Sequence, residues 1–187
     1  MRRYCLALLF ALCCGIGAAN AESPSLVRVY TNAGSFLVEL DNARAPLTVA
    51  NFLEYVRAGH YNGTIFHRVI SGFVAQGGGY DEKFQERPTR AGIPNESGNG
   101  LSNRRGTIGI ARTGDPHSAN AQFYINLADN AALDPQPSRW GYAVFGKIIE
   151  GMSVVDEIGV VATGAGGPFD KDVPMKPVVI EKIEELK

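Results

Sequence analysis

Short apolar runs separated by glycine-rich turns dominate this chain, and they leave it little room for anything but a mainly β fold. "LVRVYT" and "SFLVEL" alternate apolar and polar residues around Asn32-Ala33-Gly34, the pattern of a hairpin with one buried face. "TIFHRVI", "GFVAQ", "GTIGIA", "AQFYINL", "AVFGKII" and "PVVIEKI" follow as strand candidates, although Val178 to Leu186 is equally open to a helical reading. Pro46 opens a segment in which Val49, Phe52, Leu53 and Val56 recur at helical spacing, and Gly59 is placed to end it. A second, shorter helix is expected near Ser153 to Ile158, between Gly151 and Gly159. With no internal repeat and no linker, the pattern predicts one domain, a β-barrel or sandwich carrying two helices.

The N-terminus speaks of location. Arg2 and Arg3 precede an almost wholly apolar run from Tyr4 to Gly17, and Ala19-Asn20-Ala21 fits a small-residue cleavage site. Residues 1–21 are therefore expected to be a secretory signal peptide and 22–187 the working domain. An uncleaved anchor is the competing reading, but a span takes ~20 residues. Lipid attachment at Cys13 or Cys14 is disfavoured by Leu12 and Cys13, which are not the small residues such processing prefers. Cleavage would leave ~165 residues, enough to bury about two thirds of the unfolded surface in one core. All three cysteines leave with the leader, so the core must hold without disulfides. Loss of Arg2 and Arg3 takes Lys+Arg from 18 to 16 against 19 acids, a net charge near −3. That balance predicts no nucleic-acid surface and no membrane surface after cleavage.

Two stretches lack periodicity, Asp81 to Arg105 and Asp129 to Tyr142. Loops of that length inside a compact domain are commonly functional. The chemistry on offer is narrow. His60, His67 and His117 show no metal-ligand spacing, and there is no G-x-S-x-G elbow. Gly77-Gly78-Gly79 runs into Tyr80-Asp81, not into the Lys and Ser/Thr of a phosphate loop. No metal or cofactor is expected. His67 can be read as a general base or as a structural hydrogen-bonding group, and Arg68 beside it disfavours a charged imidazole. What remains is Arg68, Gln76 and Gln122 among Phe66, Phe73, Phe123 and Tyr124. Fixed donors beside an apolar pocket suit binding and electrostatic stabilisation. A surface salt bridge is the competing reading of Arg68.

"FHRVISGFVAQGGG", Phe66 to Gly79, resembles the signature of the cyclophilins, the barrel-type peptidyl-prolyl cis-trans isomerases. "NFLEYVRAGHYNGTIFHRVI", "GTIGIART", "AQFYINLADNAALD" and "VFGKIIEGMSVVDEI" extend the resemblance from Val27 to Ile183. The leader and "ARTGDPHSANAQFYIN" resemble the bacterial periplasmic branch. The resemblance implies a closed eight-stranded antiparallel barrel capped by two helices, with a proline groove on its outer face. It implies isomerisation of X-Pro bonds in exported polypeptides, by a monomer without a cofactor. Arg68 would donate to the reacting amide nitrogen, and Gln76 would help hold Arg68 and the substrate. Phe73, Val74, Tyr124, Leu133 and Tyr142 match the proline pocket. The backbone of Arg112 matches the strand edge that pairs with the residue before proline, and Gln122 lines the groove. Strand alternation agrees independently: Gln122 and Tyr124 share one face, Phe123 and Ile125 the other. Three positions depart from the family pattern. Val74 replaces a Met, Tyr124 a Phe, and Ala132 the Trp of cyclosporin-sensitive members, which puts the response to that drug in doubt. A chaperone or scaffold that binds proline segments with little turnover would use the same groove without Arg68. A transport barrel is weakened by the two capping helices.

Overall fold

The structure, a computed structural model, describes residues 24–186; the leader expected over 1–21 lies outside the described residues. It is a mainly β fold with two helices. In chain order the elements are β1 (Leu26–Thr31), β2 (Gly34–Leu40), α1 (Pro46–Arg57), β3 (Thr64–Ile65), β4 (Arg68–Ile70) and β5 (Val74–Gly77). Next come β6 (Thr107–Ile110), β7 (Phe123–Asn126), a 3-10 turn (Ala131–Leu133), β8 (Val144–Glu150) and α2 (Met152–Gly159). The chain ends in β9 (Thr163–Gly166), β10 (Phe169–Pro174) and β11 (Val179–Leu186), which decides the ambiguous last segment in favour of a strand.

Nine of the strands form one antiparallel sheet in the order β3-β11-β1-β2-β8-β6-β7-β5-β4. The expected closed eight-stranded barrel is thereby corrected. The sheet is an open, strongly curled half-barrel, and among the described residues no ladder joins its edges, β3 and β4. The run expected as one strand, "TIFHRVI", changes partner halfway. Ile65 pairs with Val179 on β11, whereas Arg68 pairs with Gln76 on β5. The cause is a spacing. Phe66 and Val69 both belong to the core, three residues apart, and a regular strand with period two cannot put both on one face. The break at Phe66-His67 absorbs the mismatch and leaves two consecutive side chains, His67 and Arg68, outside the core.

The core is aromatic at its centre. Phe52 of α1 packs against Tyr61, Phe123 and Phe145 with ring centroids 5.2, 5.7 and 5.2 Å away. Val49, Leu53 and Val56 bury the rest of the predicted helix face. Ala45 provides no side-chain cap for α1. The loop between β5 and β6 supplies one instead: Glu96 accepts from Leu47 N–H at 3.1 Å and Thr48 N–H at 2.8 Å. This loop, unreadable by periodicity, is therefore tied down. Its Ile93 also bridges to Ala119. The hairpin β9–β10 was not expected. Its strands bury only Val173 and Pro174 and are rich in Gly and charge, so they carry no alternating pattern of buried positions.

Candidate active site

A row of paired positions crosses the outer face of the sheet. Arg68 on β4 stands opposite Gln76 on β5, Gln76 opposite Tyr124 on β7, and Tyr124 opposite Gly109 on β6. Cross-strand pairing keeps these positions on one face. Gly109 completes the row because a Cβ there would overlap the Tyr124 phenol. Val74 lies two residues along β5 from Gln76, and Phe73 precedes it. Leu133 from the 3-10 turn and Tyr142 ahead of β8 close the far side. Arg68, Phe73, Val74, Gln76, Ala111, Arg112, Tyr124, Leu133 and Tyr142 line one pocket of about 290 Å³. The sequence-predicted residues thus converge, with Gln122 just beyond. Gln122 lines an adjoining cleft of about 150 Å³ that shares Gln76 and Arg112 with the pocket.

Two expected partnerships change. Gln76 Nε2 donates to Gln122 Oε1 at 2.9 Å, so this amide holds its neighbour and not Arg68. Gln122 can lie there because the third glycine of the run leaves room; a Cβ on Gly79 would sit 2.6 Å from the Gln122 amide. Arg68 is half-buried and makes neither an ion pair nor a side-chain hydrogen bond among the described residues. The ion-paired arginines are Arg28, Arg44, Arg57, Arg90 and Arg105. The salt-bridge reading of Arg68 is not what the structure contains.

Arg112 contributes more than its backbone. Its Nε, Nη1 and Nη2 donate to the carbonyls of Gly141 (3.2 Å), Thr113 (2.9 Å) and Trp140 (2.9 Å). Its guanidinium carbon lies 4.4 Å from the centre of the Tyr142 ring, a cation–π contact that fixes this wall. The Arg112 backbone N–H and carbonyl make no hydrogen bond among the described residues, which leaves a strand edge beside the pocket.

Beneath the pocket runs a polar network that sequence reasoning missed. Tyr124 is 4% exposed, and its hydroxyl donates to Asn103 Oδ1 at 2.6 Å. Burial pushes this phenol's pKa well up, so it stays protonated. Asn126 Nδ2 donates to the same Asn103 oxygen at 3.1 Å. Asn130 Nδ2 reaches Asn126 Oδ1 at 2.7 Å and the Phe73 carbonyl at 2.8 Å, which fixes the pocket floor. Asp134 anchors the other end. It accepts from both the backbone and the amide of Asn103 at 2.8 Å, and from the Ser102 hydroxyl. Burial alone would raise the pKa of this carboxyl, but the donors from Ser102 and Asn103 outweigh it and hold it below the usual range. The only sequence signal was Asn126, a polar residue closing the apolar strand "FYIN".

His67 stands apart from the groove. It is buried against Phe169 (5.5 Å, stacked) and Tyr80 (4.8 Å, edge-on). Burial pushes its pKa down to about 4, against an opposing pull from the Ile65 backbone, with a lesser push in the same direction as burial from the Arg68 charge. It is a neutral packing residue at neutral pH, not a general base of the groove, and its buried Nδ1 has no hydrogen-bond partner among the described residues, so it packs where the sequence suggested a hydrogen-bonding role. Ala132 is exposed on the 3-10 turn. Trp140 does not fold back over the proline pocket; it lines two neighbouring clefts instead.

Comparison with known proteins agrees with this geometry. Residues 26–185 match the family model described as cyclophilin type peptidyl-prolyl cis-trans isomerase/CLD. The chain is 54% identical to a peptidyl-prolyl cis-trans isomerase of Streptomyces antibioticus over 165 residues, covering 87% of this chain and 99% of that one. It is 48% identical to peptidyl-prolyl cis-trans isomerase B of Escherichia coli, covering 84% and 98%. Among solved structures, a cyclophilin type peptidyl-prolyl cis-trans isomerase of Cryptosporidium parvum superposes with a TM-score of 0.71 at 26% identity, over 88% of this chain and 98% of that one.

Proposed function

The chain belongs to the cyclophilin-type peptidyl-prolyl cis-trans isomerases, and from that premise we propose how its groove performs the isomerisation of X-Pro bonds in polypeptides. The barrier to rotation is ~18–20 kcal/mol, because twisting breaks C–N resonance. In the twisted state the proline nitrogen keeps its lone pair and becomes a hydrogen-bond acceptor. Arg68 donates to it. Phe73, Val74, Tyr124, Leu133 and Tyr142 hold the proline ring, the Arg112 backbone pairs with the residue before proline, and Gln76 and Gln122 border the chain beyond. The Arg68 contact strengthens as the bond rotates, so it lowers the barrier and does more than tighten binding. A charge-assisted hydrogen bond is worth ~1.5–3 kcal/mol. An acceleration of ~10⁵ requires about 7 kcal/mol. The remainder must come from the fixed, water-poor pocket and the strand-edge contacts.

The observation that carries this reading is the unpartnered Arg68 guanidinium on the same pocket as the apolar wall. It also favours catalysis over a binding-only scaffold, which would have no use for an unpaired half-buried cation. An exchange assay by NMR on a short Ala-Pro peptide tests it. Wild type should accelerate exchange and Arg68→Ala should not; equal rates would remove Arg68 from the reaction. By our reading the leader over 1–21 takes the chain to the periplasm, where it acts as a monomer on exported polypeptides. Cell fractionation and the mass of the mature chain test that placement.

A further inference from the structure

The groove does not end at the proline pocket. Beyond Arg112 and Tyr142, which both compartments share, a cleft of about 400 Å³ opens between the Gly114–Pro116 turn and the Ser138–Trp140 turn. Trp140, the chain's one tryptophan, forms a wall of it and is 48% exposed. An exposed indole on a loose tip would lose much of its binding energy to ordering. This one is braced. The His117 ring packs edge-on against it at 5.3 Å, and His117 Nδ1 is itself held by the Asn95 N–H at 3.1 Å. The Trp140 carbonyl accepts from Arg112 Nη2. Gly141 next to it donates to Ser97 Oγ at 3.1 Å and accepts from Asn95 Nδ2 at 3.1 Å. A bridge between Gln136 and Arg139 closes the turn.

We infer that this cleft is a second substrate compartment, in which Trp140 receives an aromatic or large apolar side chain flanking the proline and so sets the enzyme's sequence preference. The inference rests on the isomerase reading above and adds which substrates are favoured. The class of group follows from the wall. Arg112 directs its Nε, Nη1 and Nη2 at backbone carbonyls, and Arg139 Nη2 donates to the Ala132 carbonyl at 2.6 Å. The indole and the Pro116 ring supply apolar surface in that lining, and rigid aromatic surfaces of this kind favour apolar and aromatic partners. Arg112 also couples the compartments. The residue whose backbone offers the strand edge at the proline pocket is the one whose guanidinium fixes Trp140.

Two measurements on the mature protein test this. The first compares kcat/KM for tetrapeptides that carry Phe or Ala at positions flanking one Ala-Pro bond. Wild type should prefer Phe at one flank by roughly five- to tenfold, the effect of one aromatic contact. Trp140→Ala should collapse that ratio towards unity, mainly through KM, and Trp140→Phe should keep most of it. The second follows the emission of the single tryptophan. It should shift on titration with the Phe-flanked peptide and saturate where turnover saturates. A Phe preference that survives Trp140→Ala, or an indole that stays silent while the peptide binds, would overturn the inference. Failure to turn over even the Ala-flanked peptide would instead bring down the isomerase reading beneath it.

Discussion

Arg68 is a cation held where no anion answers it, and its worth should appear almost wholly in the rate. Arg68→Ala is expected to lower kcat/KM by ~10²–10³, as for loss of one electrostatic donor in a preorganised site. Arg68→Lys should recover little, because an ammonium cannot reproduce the rigid planar fork. A protease-coupled assay reads both, and activity of the alanine variant within a few-fold of wild type would refute the role. Tyr124 and Asn103 separate in a different measurement. Tyr124→Phe removes one donor from an Asn103 oxygen that still accepts from Asn126, so about 1 kcal/mol of stability should be lost. Asn103→Leu strands the Tyr124 hydroxyl and takes one partner each from Asn126, which keeps Thr107, and from Asp134, which keeps Ser102 and the backbone N–H of residue 103, and urea unfolding should show a loss of roughly 2–3 kcal/mol. The wall and the cation were legible in sequence because one motif and one strand alternation carry them. The Asn103 network was not, because Asn103, which joins its two ends, lies 21 residues from Tyr124 and 23 from Asn126 along the chain and meets them only in the fold.

Helix α1 depends on a residue far outside it. Glu96 takes the two N–H groups that Ala45 leaves uncapped, and it also anchors the long loop ahead of β6. Glu96→Ala should cost ~1–2 kcal/mol of stability, the usual range for losing an N-terminal cap. Thermal unfolding measures it, and an unchanged melting temperature would mean that water replaces the carboxylate at no cost. The hairpin β9–β10 plays a comparable bracing part at β4. Phe169 covers His67, directly before Arg68. His67 has an ordinary pKa near 6.5 when unfolded and about 4 when folded. Above pH 6.5 both states are neutral and nothing is lost. Between 6.5 and 4 the unfolded chain takes up a proton that the folded one refuses, so stability falls as pH falls, by about 3 kcal/mol in all. Denaturation at stepped pH should show this slope in wild type and a shallower one in His67→Gln; parallel slopes would discount the buried imidazole. The hairpin itself escaped sequence reading because its strands bury one residue in three or fewer, so no periodicity marks them.

Across the whole molecule, the sheet's curl brings the aromatic centre under α1 and turns the row of Arg68, Gln76 and Tyr124 outward. Both helices and the main run of strands were visible as patterns of burial, since the core faces read directly from residue type. Closure was not. Whether "TIFHRVI" stays one strand depends on the three-residue interval between Phe66 and Val69 and on the Val178 carbonyl that receives the Phe66 N–H at 2.9 Å. That second condition belongs to the other end of the chain. β11 sits between β3 and β1, with Leu186 opposite Leu26. In the order of synthesis, then, the strand that joins the earliest parts of the sheet is the last of the described strands to be made. Every intermediate length has β1 and β3 with bare edges and a core open along Val27 and Val29. A chain stopped at Met175 should show no cooperative melting transition in calorimetry, and one as sharp as that of the chain with β11 would contradict this. A nascent polypeptide wired in this way cannot close its core along β1 until β11 has emerged.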